Sequence, residues 1–309
     1  MFPTYSKWIS ALRLRVAIPH FYSEGSSEGS GGYGSGRFGN RLPRSVALAR
    51  CLEGVLSLNR AERDWILNLA EQQIEISSTS SMAGLSTIKV ELHLFVTGDS
   101  WIHEVVELFS NRLTIHKLNL KEPRQLPLAA VRHLLDMPDV ADLSMYLEDD
   151  LVIQDYRYID KLAWFYERTN HRFVLMPHRR ESCVANAPQS MYVDGPIKEK
   201  NSEETVFAGS EKEVASGRFW DGQSVIFCEA SNPHSGSFCL SVPQLEKLRS
   251  SNWPPASFVG PLETAATGTI LGQFPVLKTS WACRDFLRLE HGNPSFLGLL
   301  SKLPKRIMS

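Results

Sequence analysis

The amino-acid sequence predicts an α/β fold in which helices cover both faces of a mixed, mostly parallel sheet. The main observation is that short apolar runs alternate with amphipathic stretches through residues 15–178. "RVAIPH" (15–20) fits a buried strand, whereas "PRSVALARCLEGVLSL" (43–58) has the spacing of a helix. Strands that alternate with helices in this way form parallel sheets, because each helix carries the chain back to the edge from which the next strand starts.

The composition excludes several classes of protein. The chain has 309 residues, of which 43% are hydrophobic and 22% charged, and its net charge is −1. Nucleic-acid-binding proteins usually carry a basic excess, so we expect no nucleic-acid partner. We find no apolar run of about 18 residues, so we expect no membrane-spanning helix. Residues 1–21 lack an uninterrupted apolar stretch, so we expect no secretory signal there. The five cysteines are widely spaced and form no CxxC pair. We therefore expect a cytoplasmic protein with reduced thiols.

The remaining elements of the first half continue the alternation. In order, they are a strand at 88–96, a helix at 101–110, a strand at 113–120, a helix at 126–137, a strand in "ADLSMYLEDD" (141–150), a helix at 156–169 and a strand at 172–178. The C-terminal third is more irregular, and residues 197–217 are polar enough to predict a surface excursion.

A glycine-rich segment (24–40) separates the first strand from the first helix. Nucleotide-binding α/β folds often open with a strand, a glycine-rich loop and a helix. A linker would have the same composition, so the role of this segment stays open. The predicted apolar stripe of the helix consists of Val46, Ala49, Leu52, Val55 and Leu56.

Three consecutive carboxylates, Glu148, Asp149 and Asp150, end one of the predicted strands. Ligands of open α/β sheets bind at the carboxyl ends of strands. Strand alternation predicts that Glu148 and Asp150 share a side while Asp149 points away. Carboxylates held together without a counter-charge destabilise a fold, and a bound Mg²⁺ or Mn²⁺ would remove that cost. The alternative is a solvated charge cluster, with Asp155 capping the next helix.

Four short motifs resemble the landmarks of GT-A-fold glycosyltransferases, and they occur in the same order. "MYLEDDLVI" (145–153) resembles the DxD-type acidic motif in its hydrophobic-Glu-Asp-Asp form. "NPHSGSFCLS" (232–241) resembles the glycine loop before the acceptor-side strand, and "GPLETAA" (260–266) resembles the segment where a carboxylate opens a helix facing the acceptor. "LRLEHG" (287–292) resembles the late strand whose histidine completes the metal site.

The resemblance covers nearly the whole chain and implies one GT-A-like, Rossmann-type domain over residues 1–309. Within it, residues 13–180 would form the nucleotide-sugar-binding half, residues 181–296 the acceptor-side half and residues 297–309 a basic tail. Such a tail is normally solvated and is compatible with peripheral contact with anionic lipid.

The same resemblance implies roles for individual residues. Asp150 and His291 would bind Mn²⁺ or Mg²⁺, and Glu148 would contact the donor's ribose or the metal through water. Glu263 would act as the catalytic base of an inverting transfer, although a carboxylate near a helix N-terminus also has a plain capping role. The other implied donor contacts are His20, Asp149, His178 and Arg179, and the implied acceptor contacts are His234, Ser235 and Gly236. Each of these has a structural alternative as a turn former or as a member of a salt bridge.

The resemblance thus implies a glycosyltransferase that moves a sugar from a nucleotide-diphosphate sugar, such as a UDP-sugar, to a hydroxyl of a glycan or another acceptor. Two alternatives remain open. A sugar-nucleotide nucleotidyltransferase would need a basic first loop, but residues 25–39 contain a single basic residue, Arg37. A non-catalytic sugar- or nucleotide-binding domain would keep the fold without the chemistry. The base-reading acidic residue after the second strand is not evident, and Asp99 is the nearest candidate.

Overall fold

The computed structural model describes residues 11–24, 39–77, 85–182, 190–197, 212–256, 260–300 and 302–304. Within these ranges the strands are β1 Leu12–Pro19, β2 Trp65–Asn68, β3 Gln73–Ile76, β4 Ile88–Thr97, β5 Thr114–Leu118, β6 Leu143–Leu147, β7 Leu151–Val152, β8 Val174–Leu175, β9 His178–Glu181, β10 Met191–Tyr192, β11 Glu213–Arg218, β12 Ser224–Glu229, β13 Ser237–Ser241, β14 Val276–Thr279 and β15 Arg288–His291. The helices are α1 Arg41–Leu56, α2 His103–Leu108, α3 Leu126–Asp136, α4 Tyr158–Arg168 and α5 Val242–Arg249. Shorter helical turns are Pro123–Gln125, Pro261–Glu263, Thr264–Gly268, Trp281–Cys283 and Leu297–Leu299.

The central sheet has the strand order β5-β4-β1-β6-β13. Strands β5, β4, β1 and β6 run parallel, and β13 pairs antiparallel with β6 at the edge. Side chains of α1 and α2 pack on one face of this sheet, and side chains of α3 pack on the other. The predicted fold class, a mixed and mostly parallel sheet with helices on both faces, is therefore confirmed.

Strand β4 shows why both faces are covered. Leu92, Leu94 and Val96 are buried in the core beneath α1 and α2, whereas Phe95 is buried in the core beneath α3. Because successive side chains of a strand point to opposite faces, a strand that is apolar at both sets of positions needs a layer on each side.

The chain path creates a crevice between β1 and β6. From β1 the chain adds β4 and then β5 on one side, and it then returns to place β6 on the other side of β1. Ligands of open α/β sheets bind at such a switch point, beyond the carboxyl ends of the strands. Here those ends are the residues after Pro19 and after Leu147.

Two smaller sheets contain the strands that follow β6, apart from β13, with the orders β10-β9-β15-β7 and β11-β12-β14-β8. They include the strand predicted at 172–178, which is shorter than predicted because β8 ends at Leu175 and β9 begins at His178. The helix predicted at 101–110 is likewise shorter, since α2 covers only His103–Leu108. Residues 25–38 of the glycine-rich segment and residues 198–211 of the polar excursion lie outside the described residues.

The buried face of α1 differs from the predicted stripe. Val46 is 47% exposed. The buried side chains are Arg44, Ala47, Leu48, Cys51, Leu52 and Val55. The spacing is helical as predicted, but the stripe is rotated, because the arginine at its start belongs to the buried face.

The hairpin of β2 and β3 was not predicted. Its strands pair antiparallel, Trp65 with Ile76 through Asn68 with Gln73. Its apolar side chains are exposed. A strand with no buried face needs no alternation of apolar and polar residues, and that alternation is the pattern from which a strand is predicted. Within the described ranges, no helix combines the length and the apolarity needed to cross a bilayer.

Candidate active site

The three carboxylates form a turn between β6 and β7. Strand β6 ends at Leu147, and the backbone N–H of Glu148 donates to the carbonyl of Gly236 at 3.0 Å. On the far side of the turn, the N–H of Gly292 donates to the carbonyl of Asp150 at 2.6 Å. The turn is therefore held between the start of β13 and the end of β15. The side chains of the turn are largely buried, not solvated, since Glu148 and Asp149 are 7% and 8% exposed.

Arg44 joins two of these carboxylates. Its Nη2 atom donates to both carboxylate oxygens of Asp149, each at 2.6 Å, and its Nη1 atom donates to Oδ2 of Asp150 at 2.9 Å. The prediction that Asp149 points away from Asp150 is therefore wrong, because the strand ends before the triplet and its alternation ends with it. Burial acts to raise the pKa of Asp150, but the hydrogen bond with His291 and the charge of Arg44 hold that pKa well below its usual range. The repulsion between the two aspartates is thus offset by a cation of this chain.

His20 lies beneath the turn and is fully buried. Its Nδ1 atom lies 2.6 Å from Oδ2 of Asp149, and its Nε2 atom accepts a hydrogen bond from the backbone N–H of Ile102 at 3.1 Å. Since Nε2 accepts, the network assigns the proton to Nδ1, which donates to Asp149. His20 therefore fixes the orientation of Asp149 from below.

Glu148 lies beside Gly236, and the hydrogen bonds described for Arg44 go to the other two carboxylates. Its Oε1 atom is buried and has no hydrogen-bond partner among the described residues. Burial raises the pKa of Glu148 to about 8; the negative charges of Asp150 and Glu263 add to this effect, and the positive charges of Arg179 and His291 oppose it. A buried carboxylate with an unused oxygen is unusual in a protein interior and marks a place where a ligand atom could bind.

Gly236 leaves the space that Glu148 occupies. Its φ is +62°, and a Cβ atom there would lie 2.6 Å from Oε2 of Glu148. Glycine is therefore required by the backbone conformation and by the close approach of the carboxylate.

His291 faces Asp150 across the end of β15. Its Nε2 atom lies 3.5 Å from Oδ2 of Asp150, and its Nδ1 atom lies 2.7 Å from Oε1 of Glu181. Burial acts to lower the pKa of His291, but the hydrogen bonds with Asp150 and Glu181 outweigh it and raise the pKa to about 9. Glu181 is fully buried and also accepts backbone N–H groups of residues 295–297.

The residues present fit a divalent cation. A carboxylate oxygen and an imidazole nitrogen are ligands that Mn²⁺ accepts, and here they already lie close together. Metal-binding histidines commonly donate their other ring N–H to a carboxylate, as His291 does to Glu181. Asp150 and His291 supply two ligands, so phosphate oxygens and water would complete the coordination.

Arg179 is a second cation beside the turn. Its Nε and Nη2 atoms donate to Oδ1 of Asp194 at 2.9 and 2.8 Å, and its charge acts on both Glu148 and Asp150. Asp194 also accepts from Lys278 Nζ at 3.2 Å. Burial lowers the pKa of Lys278 to about 8, with the charge of Arg179 adding to the effect and that of Asp194 opposing it. Two basic side chains held by one buried carboxylate can present charge to an anionic ligand.

The predicted acceptor loop is anchored to its surroundings. Nδ1 of His234 lies 2.8 Å from Oγ1 of Thr267, in the helical turn that follows Glu263. The hydroxyl of Ser235 donates to the carbonyl of Pro177 at 2.7 Å, and this serine is fully buried. Burial, with a smaller effect of the Arg179 charge, lowers the pKa of His234 to about 3.

His178 and Glu263 lie at the margins of the site. Nε2 of His178 donates to the carbonyl of Thr279 at 2.8 Å, and its buried Nδ1 has no partner among the described residues. Burial, with the charge of Lys278 adding to it, lowers the pKa of His178 to about 4. Glu263 ends the turn Pro261–Glu263, is half-buried, and is close enough for its charge to raise the pKa of Glu148.

The structure thus brings the acidic turn, His291, Arg179, Gly236 and Glu263 to one place. His20 lies below them, and His178 contacts Thr279 and the Trp281 ring, 4.8 Å away between centroids. Three residues of the site were missed by the sequence analysis: Arg44, Glu181 and Asp194. Arg44 gave a signal, since it lies at helical spacing from buried residues of α1 and is the charged member of that face. For Asp194 and Glu181, the neighbouring sequence contains no signal that predicts a place in the site.

No family model matches the sequence, and no curated protein sequence does either. Among solved structures, a crystal structure of S. aureus TarS 1-349 aligns with 58% of this chain at 12% identity and a TM-score of 0.31. A crystal structure of GalNAc-T7 with UDP, GalNAc and Mn²⁺ aligns with 93% of it at 11% identity and a TM-score of 0.44. The alignments cover 39% and 46% of those chains, so this chain spans less than half the length of either neighbour. At these TM-scores the similarity is distant, and the proposed function rests on the geometry of the site.

Proposed function

We propose that this protein is a metal-dependent glycosyltransferase that moves a sugar from a nucleotide-diphosphate sugar, such as a UDP-sugar, to an acceptor hydroxyl. The observation that carries this proposal is the position of the acidic turn at the β1–β6 switch point, with Arg179 and His291 beside it. A diphosphate needs cations around it, and carboxylates are the groups that would hold a hard divalent ion there.

On the donor side, Asp150 and His291 would bind Mn²⁺ or Mg²⁺. The bound ion would offset the negative charge of the diphosphate as it leaves. Arg44 and His20 keep Asp149 in place, and the acidic turn with it. Arg179, oriented by Asp194, donates to phosphate oxygens.

The rest of the donor and the acceptor take the remaining groups. Glu148 offers the ribose the oxygen that has no partner in the described part of the chain. Asp99, which is exposed and follows β4 closely, is the candidate for reading the base. In this proposal residues 13–180 bind the donor and residues 181–296 bind the acceptor. The proposed contacts comprise His20, Glu148, Asp149, His178 and Arg179 for the donor, and His234, Ser235 and Gly236 for the acceptor.

Glu263 is the proposed base. Its carboxylate takes the proton of the acceptor hydroxyl while that oxygen bonds to the anomeric carbon. The bond between the anomeric carbon and the phosphate oxygen breaks, and its electron pair leaves with the nucleoside diphosphate. Attack from the face opposite the leaving group inverts the configuration at the anomeric carbon.

The test is a panel of nucleotide sugars, each incubated with the protein and Mn²⁺, with release of free nucleoside diphosphate as the readout. We expect one donor to be turned over in a metal-dependent way. Asp150→Asn should lower that rate by at least about 100-fold, whereas Asp64→Asn, a change at an exposed aspartate, should not.

Three results would contradict the proposal. Turnover that is unchanged in a folded D150N protein refutes the metal assignment. Metal-dependent nucleotide binding without turnover of any donor favours the non-catalytic alternative. Release of pyrophosphate from a nucleoside triphosphate would instead favour a nucleotidyltransferase.

A further inference from the structure

Three histidines converge on the α3 face of the central sheet, outside the site described above. They are His93 on β4, His116 on β5 and His133 on α3. Their ring centroids are 5.2 Å apart for His93 and His116, 4.7 Å for His93 and His133, and 4.6 Å for His116 and His133. One ring nitrogen of each lies within 4.8 Å of the other two. Within the described part of the chain, this is the one group of three metal-ligating side chains that lie so close together.

The fold explains why the three meet. His93 alternates with Leu92 and Leu94, so its ring points to the face that α3 covers. In the register of β4 and β5, His116 lies opposite Phe95, and the two rings stack at 4.5 Å between centroids. His133, on α3, packs against the same rings, and its centroid lies 5.1 Å from that of the Phe95 ring.

The hydrogen bonds within the cluster are incomplete. Nδ1 of His93 lies 2.9 Å from Nε2 of His116, so these two atoms can share one proton. Nε2 of His133 is buried and has no hydrogen-bond partner among the described residues. A buried polar atom without a partner costs free energy, so a histidine nitrogen that has no partner among the described residues, in a ring beside two other imidazoles, indicates a place for a ligand.

We propose that His93, His116 and His133 bind one Zn²⁺ ion. Imidazole nitrogen suits zinc, and three protein ligands with water in the fourth position are a common tetrahedral arrangement. Zn–N distances of about 2.0–2.1 Å place tetrahedral ligand nitrogens about 3.3 Å apart. The 2.9 Å between His93 and His116 therefore has to widen by only a few tenths of an ångström.

The protonation of the cluster is compatible with metal binding. Burial lowers the pKa of His93 to about 4, with the charges of His133 and His116 adding to it, and burial together with His116 lowers the pKa of His133 to about 4. Neutral imidazole is the form that coordinates zinc. The charges that face the cluster are Arg15 from β1, which opposes a cation, and Glu91 and Asp136, which favour one.

Arg15 is itself neutralised. Its Nη2 atom lies 2.8 Å from Glu91 and 3.1 Å from Asp139, so its charge is shared with two carboxylates. The ion would cross-link β4, β5 and α3, three elements that carry none of the residues proposed for the transfer reaction.

The experiment is calorimetry with Zn²⁺ alone on the full-length protein after removal of metal with a chelator. All proteins carry His291→Gln, so that the candidate active site does not contribute to zinc binding. We expect one tight zinc site per chain. His133→Gln and, separately, His116→Gln should each weaken zinc affinity by at least about 100-fold. Even the change of a residue that only bonds a metal ligand lowers metal affinity by about 10–100-fold. His103→Gln is the matched control, because His103 is exposed on α2 and lies outside the cluster.

Two further measurements keep the result interpretable. Zinc should raise the Tm of the parent and of H103Q but not that of H133Q, because a ligand stabilises only the state that binds it. Co²⁺ should give the visible absorption bands of a tetrahedral site in the parent and in H103Q, but not in H133Q. Circular dichroism verifies that the variants fold, and H116Q provides the test if H133Q does not. Equal zinc affinity in the parent, H116Q and H133Q, or no zinc-induced change in Tm of the parent, overturns the proposal.

Discussion

Nδ1 of His291 lies 2.7 Å from Oε1 of Glu181, and both side chains are buried. This hydrogen bond orients the imidazole so that Nε2 faces Asp150. Glu181 bonds His291, which faces Asp150, so it acts on the proposed metal site through the histidine. The carboxylate is held in turn by backbone N–H groups of the segment that follows β15.

Glu181→Gln should therefore weaken Mn²⁺ binding by about 10–100-fold, because the amide is a poorer acceptor for the ring N–H than the carboxylate. Calorimetry with Mn²⁺ in the presence of UDP measures the effect. The control is Glu290→Gln, whose carboxylate bonds Arg180 and the N–H of Ser182, away from His291. If E181Q and E290Q bind Mn²⁺ equally, His291 is not a ligand that Glu181 orients.

Arg44→Ala should destabilise the fold by about 3–5 kcal/mol, since it removes the guanidinium that two largely buried aspartates share. Arg41→Ala, on the same helix, removes an exposed ion pair with Glu104 and should leave the unfolding midpoint nearly unchanged. Urea unfolding of both variants at pH 7 gives the comparison. Similar midpoints for the two would show that the acidic turn does not depend on Arg44.

Gly236→Ala should disturb both the fold and the site. The residue has φ +62°, and the added Cβ would lie 2.6 Å from Oε2 of Glu148. Gly272→Ala isolates the cost of the backbone conformation, because Gly272 has φ +79° but nothing within 4 Å of a Cβ atom. We expect G272A to lose about 1–2 kcal/mol and to retain activity, and G236A to lose more stability and most of the donor turnover.

Glu263→Gln should lower kcat by about 10²–10⁴-fold with little change in the KM of the donor, since the amide cannot accept the proton of the acceptor hydroxyl. Steady-state kinetics with the donor identified by the panel measures both constants. Glu246→Gln on the exposed face of α5 is the control. A normal kcat in E263Q would leave Glu263 with a capping role alone.

Acid should destabilise the protein partly through His234. Burial holds its folded-state pKa at about 3, below the ordinary value of 6.5. The unfolded chain therefore binds more protons below pH 6.5, and the free energy of unfolding falls from there towards pH 3. One pKa unit corresponds to about 1.4 kcal/mol. Between pH 7 and pH 4, the free energy of unfolding should therefore fall by about 2–3 kcal/mol less in His234→Gln than in the parent. Urea midpoints across that range, with the exposed His103→Gln as control, provide the measurement.

The strand ends were predictable because apolar runs and prolines mark them locally. The acidic triplet was placed at the end of its strand for this reason, and the structure ends β6 at Leu147. The orientation of Asp149 was not predictable in this way, because alternation holds within a ladder and the triplet lies beyond it. The role of Arg44 was not predictable, because it arises from the packing of α1 against a turn far along the chain. Arg44 and Asp150 are 106 residues apart in the sequence.

The features that the sequence analysis missed have physical reasons. Trp65 and its neighbours in the hairpin are exposed, so burial left no periodic pattern for prediction. The histidine cluster joins β4, β5 and α3, and each histidine by itself looks like an ordinary member of its own element. Asp194 pairs with Arg179 through a buried contact that neither local sequence indicates.

The antiparallel pairing of β13 with β6 runs from Ser237 opposite Leu147 to Ser241 opposite Leu143. A polypeptide cut near residue 181 would leave β6 with an unsatisfied row of amides and carbonyls along one side, an invitation to aggregation rather than an independent module. New acceptor preferences would therefore have to arise by remodelling loops on an intact chain, since grafting a foreign C-terminal portion would break the ladder that builds the acidic turn.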